Sequence, residues 1–244
     1  MATVSPAAGT RARSARLCSN GLAPLSPNFG ERRGGLLPDM IVLHYTAMAD
    51  CDAALHRLCD PLAEVSAHYL ISPAGKVLPL VAEDKRAWHA GAGIWRGQDD
   101  INSRSIGIEL ANTGRQPFAD AQMRALTFLL AEVMARWSIA PDAVIAHSDM
   151  ALGRKGDPGP RFDWRRLALA GLSVWPQGGK PGQPGRFLPD AHRFGYSDAG
   201  GDLVLSAFRL RFRPWALGPL DAVDAGMMAD LAHRFGVDAK QRLA

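Results

Sequence analysis

The chain has 244 residues, 47% hydrophobic and 21% charged, enough for one large globular domain or for one domain with a small appendage. Its 28 Lys and Arg are scattered among 24 Asp and Glu, for a net charge of +4, which lacks the dense basic stripe of a nucleic-acid binder and excludes that class. No apolar stretch approaches the ~18 residues of a membrane span, so none is expected.

The first residues, MATVSPAAGTRARSARLCSNG, are basic without an apolar run of the length an export signal needs, and residues 1–25 read as a flexible leader. Cys18, Cys51 and Cys59 are odd in number and show no Cys-x-x-Cys spacing, against a disulfide framework. These features point to the cytoplasm, with the periplasm as the alternative, and nothing demands a partner subunit, so a monomer is expected.

Five short runs then read as buried or half-buried strands: Met40–Thr46, Ala67–Ser72, Lys76–Val81, Ser105–Ala111 and Ala143–Ser148. Pro73, Ala74 and Gly75 form a hairpin turn between the second and third. A helix is expected from Asp50 to Leu62. A second, DAQMRALTFLLAEVMARW, repeats Met123, Leu126, Leu130, Val133 and Trp137 at three- and four-residue steps and should be capped by Asp120. The fold class is therefore α/β, a mixed central β-sheet flanked by helices, over residues 26–175. Residues 176–189 are rich in Gly and Pro and read as a linker. Residues 190–244 read as a small helical appendage with two short helices.

His44 closes the apolar strand MIVLH and His147 closes VIAH, so two strand ends could bring two imidazoles to one point. Asp157 arrives on the loop that follows. Two imidazoles and a carboxylate make a three-ligand set for Zn²⁺, one ion per chain, leaving a fourth position open as a hydrolytic site requires. Glu109 lies within the apolar strand SIGIELA, where a carboxylate is costly without a partner or a task, and it is the available general base. Lys155, on the same loop as Asp157, can stabilise an oxyanion. Gly153, Gly156 and Gly159, with Pro158 and Pro160, shape that loop.

The motifs IVLHYTAM, SAHYLIS, AWHAG, SIGIELAN, AHSD and GRKGDPGPRFDW, in this order over about Ser26–Leu167, closely resemble the zinc-dependent N-acetylmuramoyl-L-alanine amidases of the amidase-2, AmpD-like type. That family shares its fold with the peptidoglycan recognition proteins. By motif, the resemblance places the zinc ligands on His44, His147 and Asp157, the catalytic glutamate on Glu109 and the lysine on Lys155. It implies hydrolysis of the amide between N-acetylmuramic acid and the L-alanine of the stem peptide, on a soluble anhydromuropeptide or on peptidoglycan. A non-catalytic recognition protein is the alternative. Trp88, His89 and Asn102 are expected to contact the substrate. Asn112 fits a substrate contact or turn chemistry, and His68 a contact or a place behind the ligands. His56, His192 and His233 are expected at the surface. The segment from Gly195 is similar to a small peptidoglycan-binding module, but Arg209 stands where that module carries glutamine.

Overall fold

The structure, a computed structural model, describes residues 25–178 and 180–237. The expected leader, Leu25 apart, and Cys18 with it, lie outside the described residues, as do the last seven residues of the appendage. Strand β1 (Phe29–Glu31) is followed by β2 (Met40–Tyr45), helix α1 (Cys51–Cys59), β3 (Tyr69–Ile71), β4 (Val77–Pro79) and β5 (Lys85–Ala87). Next come α2 (Ile101–Arg104), β6 (Ser105–Leu110), α3 (Asp120–Trp137), β7 (Val144–Ala146), α4 (His147–Met150) and α5 (Trp164–Leu169). Helices α6 (Phe187–Phe194), α7 (Gly201–Phe212) and α8 (Ala222–Phe235) follow.

Five strands form a mixed sheet in the order β4-β3-β6-β2-β7, parallel except for the β3–β4 hairpin, while β1 and β5 pair apart from it. Strand β2 is buried from Met40 to His44, as expected of a central parallel strand covered on both faces. Residues paired in register share a face. Ile41, Leu43, Ile106, Ile108 and Leu110 turn to one side and join Met123, Leu126, Leu130 and Val133 of α3 in the main core. On the opposite side, β6 presents Ser105, Gly107 and Glu109, and β2 presents His44 directly across from Glu109. A polar layer therefore stands on one face of the sheet, beside a small cluster in which Leu70 packs on Ala54 and Leu58 of α1.

Three expectations need correction. Helix α1 stops at Cys59, because Asp60 precedes Pro61 and is driven out of the helical region; its N-terminus is held by Asp50, which accepts from Ala53 N. Asp120 does not cap α3: Ala119 occupies that position, and Asp120 is the first helical residue, pairing with Arg124 and Arg166. Among the described residues, the region after Trp175 holds three α-helices, the first starting at Phe187 within the expected linker. Pro189 sits in the first turn of that helix, where the missing N–H costs nothing.

The appendage is not a separate body packed at arm's length. Phe187, Phe194, Phe208 and Phe212 share one apolar cluster with Trp95, Met150 and Trp164. Trp95 meets Phe194 and Tyr196 edge to face, with centroids 5.6 and 5.3 Å apart. Arg96 donates to the carbonyls of Phe194 and Phe235 and pairs with Asp142.

Candidate active site

His44, His147 and Asp157 converge. His44 Nδ1 lies 2.9 Å from His147 Nδ1 and 2.9 Å from Asp157 Oδ2, and His147 Nδ1 lies 3.0 Å from the same oxygen. His44 is delivered by β2, one residue before the strand ends. His147 is not the last residue of a strand, as its motif suggested, but the first of the short helix α4 that follows β7. Asp157 returns on the loop, tied to α4 by the hydrogen bond from Ser148 N to Asp157 O at 3.0 Å. Gly153 and Gly159 take left-handed φ values of 70° and 78° along this loop, which side chains disfavour, and a Cβ at Gly159 would press on the Tyr45 ring.

The protons of this cluster can be assigned from its hydrogen bonds. Ser105 Oγ lies 2.6 Å from Ile101 O, which can only accept, so the hydroxyl proton is spent there. The same oxygen lies 3.1 Å from His89 Nε2 and must accept from it. Neutral His89 then has a bare Nδ1, and His44 Nε2, 3.0 Å away, must supply the proton. That leaves His44 Nδ1 bare. His147 Nε2 donates to Ala90 O at 2.9 Å, which leaves its Nδ1 bare as well. Burial, reinforced by His147, holds His44 down at about 4 against the opposing pull of Asp157, so the ring stays neutral near pH 7. Two nitrogen lone pairs and a carboxylate oxygen thus face one another without a proton between them. A metal cation among them would satisfy such a set.

Glu109 is half-buried, and its Oε2 has no hydrogen-bond partner among the described residues. Desolvation, with the nearby Asp157 charge, pushes its carboxyl up to about 8, while Lys155 pulls the other way. Lys155 is exposed on the loop, close enough for its charge to act on both Glu109 and His44. A group able to hold a metal, a carboxyl and a cation near one another are what a hydrolytic site would need.

The expected substrate contacts divide. Trp88 stays half-buried and keeps its place as a contact candidate. His89 has both ring nitrogens committed, to His44 and Ser105, so it supports a ligand rather than contacting substrate through them. Asn102 is buried at 7% exposure, and its Oδ1 accepts from His89 N and Ala90 N, which fixes the AWHAG loop. Asn112 accepts from Gly114 N in turn chemistry. His68 is fully buried: its Nδ1 accepts from Gly107 N, and its Nε2 donates to Lys85 O. Ser105 and Gly107 escaped the sequence reading, although their alternation with Glu109 along β6 puts all three on one face. A Cβ at Gly107 would stand 2.4–2.6 Å from the His89 ring, so only glycine lets that ring lie against the strand.

Residues 34–160 match the family described as N-acetylmuramoyl-L-alanine amidase. The chain is 37% identical over 235 residues to N-acetylmuramoyl-L-alanine amidase AmiD of Escherichia coli K12, with 82% of this chain and 84% of AmiD covered. It is similar to the solved complex of E. coli AmiD with the substrate anhydro-N-acetylmuramic acid-L-Ala-D-gamma-Glu-L-Lys, at TM-score 0.74 and 33% identity, covering 86% of this chain and 98% of that one. It is also similar to AmpDh3 of Pseudomonas aeruginosa in complex with anhydromuramic pentapeptide, at TM-score 0.75 and 30% identity, covering 90% and 98%.

Proposed function

This chain belongs to the N-acetylmuramoyl-L-alanine amidase family, and from that premise we propose that it is a zinc enzyme that cleaves the amide joining N-acetylmuramic acid to L-alanine in soluble anhydromuropeptides. The observation that carries the reading is the set of three donors on His44, His147 and Asp157 beside the Glu109 carboxyl, whose Oε2 has no partner among the described residues. Both full-length structural relatives are described with anhydromuramic ligands, which supports the substrate class.

His44, His147 and Asp157 would hold the ion, and the unit spanning residues 26–175 would carry catalysis. Zinc supplies Lewis acidity toward a water and toward the scissile carbonyl. Glu109 accepts a proton from the attacking water at its carboxylate; the half-buried setting that raises its affinity for a proton suits it to hold one briefly. The Lys155 ammonium stabilises the negative charge that develops on the carbonyl oxygen. Glu109 then returns its proton to the departing alanine nitrogen. Trp88, at the mouth of the AWHAG loop, offers an aromatic face to sugar or peptide.

Incubation with anhydro-N-acetylmuramyl-L-Ala-D-γ-Glu-L-Lys, read by mass spectrometry, tests the reading. Free tripeptide and free anhydro-N-acetylmuramic acid in equal amounts are expected, and cleavage at any other bond would reject the assignment. A soluble fragment of this kind is available to a cytoplasmic enzyme, and we place the protein there; recovery of most of it in a periplasmic extract would reverse that placement. Among the described residues no helix is long and apolar enough to cross a membrane.

A further inference from the structure

We propose that the C-terminal helices are a positioning element of the metal centre, acting through Arg211 and Tyr196 on Asp149. Asp149 lies two residues after His147 in α4 and is fully buried. Its Oδ2 accepts from Ala146 N at 2.9 Å, closing the turn from β7 into α4 that delivers His147. The same oxygen receives Arg211 Nη1 at 2.5 Å, and Oδ1 receives the Tyr196 hydroxyl at 2.8 Å. Arg211 belongs to α7, and Tyr196 lies just beyond α6, so both carboxylate oxygens of a residue beside a candidate ligand are held from the C-terminal region.

Arg211 does more than pair with Asp149. Its Nη2 donates to Val144 O at 2.9 Å, at the start of β7, and to Ser173 Oγ at 3.2 Å. The guanidinium carbon lies 4.3 Å from the centre of the Trp164 ring, at the start of α5. One buried side chain therefore grips both ends of the segment from 144 to 164, which carries His147 and Asp157. Leu203 of α7 touches the same segment midway: a Cβ at Gly153 would stand 3.1 Å from its methyls. Since Ser148 N holds Asp157 O, movement of α4 carries both candidate ligands with it.

A buried ion pair is a poor stabiliser compared with apolar residues of the same volume, because both charges lose their water. Its distinctive product is geometry, a planar fork fixing the orientation of a carboxylate. Placement of such a pair beside a ligand, when phenylalanines already fasten the helices to the domain, assigns it to orientation.

The inference rests on the metal-centre reading above, and one experiment separates the two. Zinc affinity is measured by chelator competition, at a temperature where circular dichroism shows every sample folded, for the full chain and four variants. His147→Ala should lose zinc; wild-type protein that binds none, or His147→Ala that binds it equally well, overturns the metal reading and the inference together. Arg211→Met should weaken zinc binding about 10-fold or more, the range seen when residues behind metal ligands are removed. Tyr196→Phe, a change of one hydroxyl, should weaken it about threefold and provides the test if Arg211→Met fails to fold. Arg209→Met is the control: Arg209 is a second buried arginine on α7, paired with Asp224 inside the C-terminal helices and away from Asp149. It should lower thermal stability and leave zinc affinity unchanged. If Arg211→Met and Tyr196→Phe bind zinc like wild type, or if Arg209→Met weakens it as much as Arg211→Met, the positioning role is rejected while the metal reading stands.

Discussion

His44 donates its Nε2 proton to Nδ1 of His89, 3.0 Å away, and in doing so turns its own Nδ1 lone pair toward His147 and Asp157. The tautomer of a ligand is thus set from outside the ligand set, by a chain that ends at the Ser105 hydroxyl and the Ile101 carbonyl.

Loss of the acceptor on His89 should therefore be felt at the metal. His89→Ala is expected to weaken zinc binding by about 10- to 100-fold. His89→Asn places an amide oxygen close to the lost Nδ1 and should recover most of that loss. Chelator competition on both variants checks this, and equal affinity in the two would break the link between the acceptor and the ligand.

Gly107→Ala should act at the same point without removing a polar group. The added methyl would meet the His89 ring and must displace it or the strand. A stability loss of about 1–3 kcal/mol is expected by urea denaturation, together with weaker zinc binding. Gly30, where a Cβ meets nothing within 4 Å, is the matching control: Gly30→Ala should leave zinc binding unchanged.

His68 makes the metal-free protein sensitive to acid. Burial, helped by the Arg32 charge, lowers its pKa from 6.5 to about 3. A histidine kept neutral by folding contributes its full stability above the unfolded value and loses it as pH falls from about 6.5 toward 3, because the unfolded chain takes up the proton first. In chelator-treated protein, His68→Asn should flatten the slope of stability against pH in that window by up to about 1.4 kcal/mol per pH unit. An unchanged slope in urea titrations at pH 6 and pH 4.5 would place the titration elsewhere.

Glu109 has the opposite sign. Its carboxyl is raised from 4.5 to about 8 in the metal-free protein, so folding is favoured while it stays protonated and loses that advantage as pH rises through this range. Glu109→Gln should stabilise the chelator-treated protein at pH 9, on the order of 2 kcal/mol after allowance for partial exposure, and change little at pH 4. Thermal melts at the two values check it. A gain of the same size at pH 4 would assign the effect to packing instead.

Much of this is legible in the sequence. Histidines after apolar strand runs, a glutamate inside another and a Gly-Pro loop carrying lysine and aspartate, with the family resemblance, were enough to name His44, His147, Asp157, Glu109 and Lys155 as candidates, because strand periodicity and turn chemistry are local, and the structure brings the first three together. What stayed hidden depended on contacts distant in sequence. Asn102 looked like a free polar group, yet it is committed to the backbone of residues 89 and 90. His89 looked like a rim residue until Ser105 was seen beneath it. Strands β1 and β5 are three residues each, too short to carry a period. In FRLRFR, Arg211 reads as one charge on a helix face, and only the packing of α7 against α4 shows that it meets Asp149.

The most direct test measures zinc content and turnover in the same samples of wild type, His147→Ala and Glu109→Gln. The account predicts one zinc and hydrolysis in wild type, neither in His147→Ala, and one zinc without hydrolysis in Glu109→Gln. Turnover persisting in Glu109→Gln, or zinc and turnover persisting in His147→Ala, would contradict it.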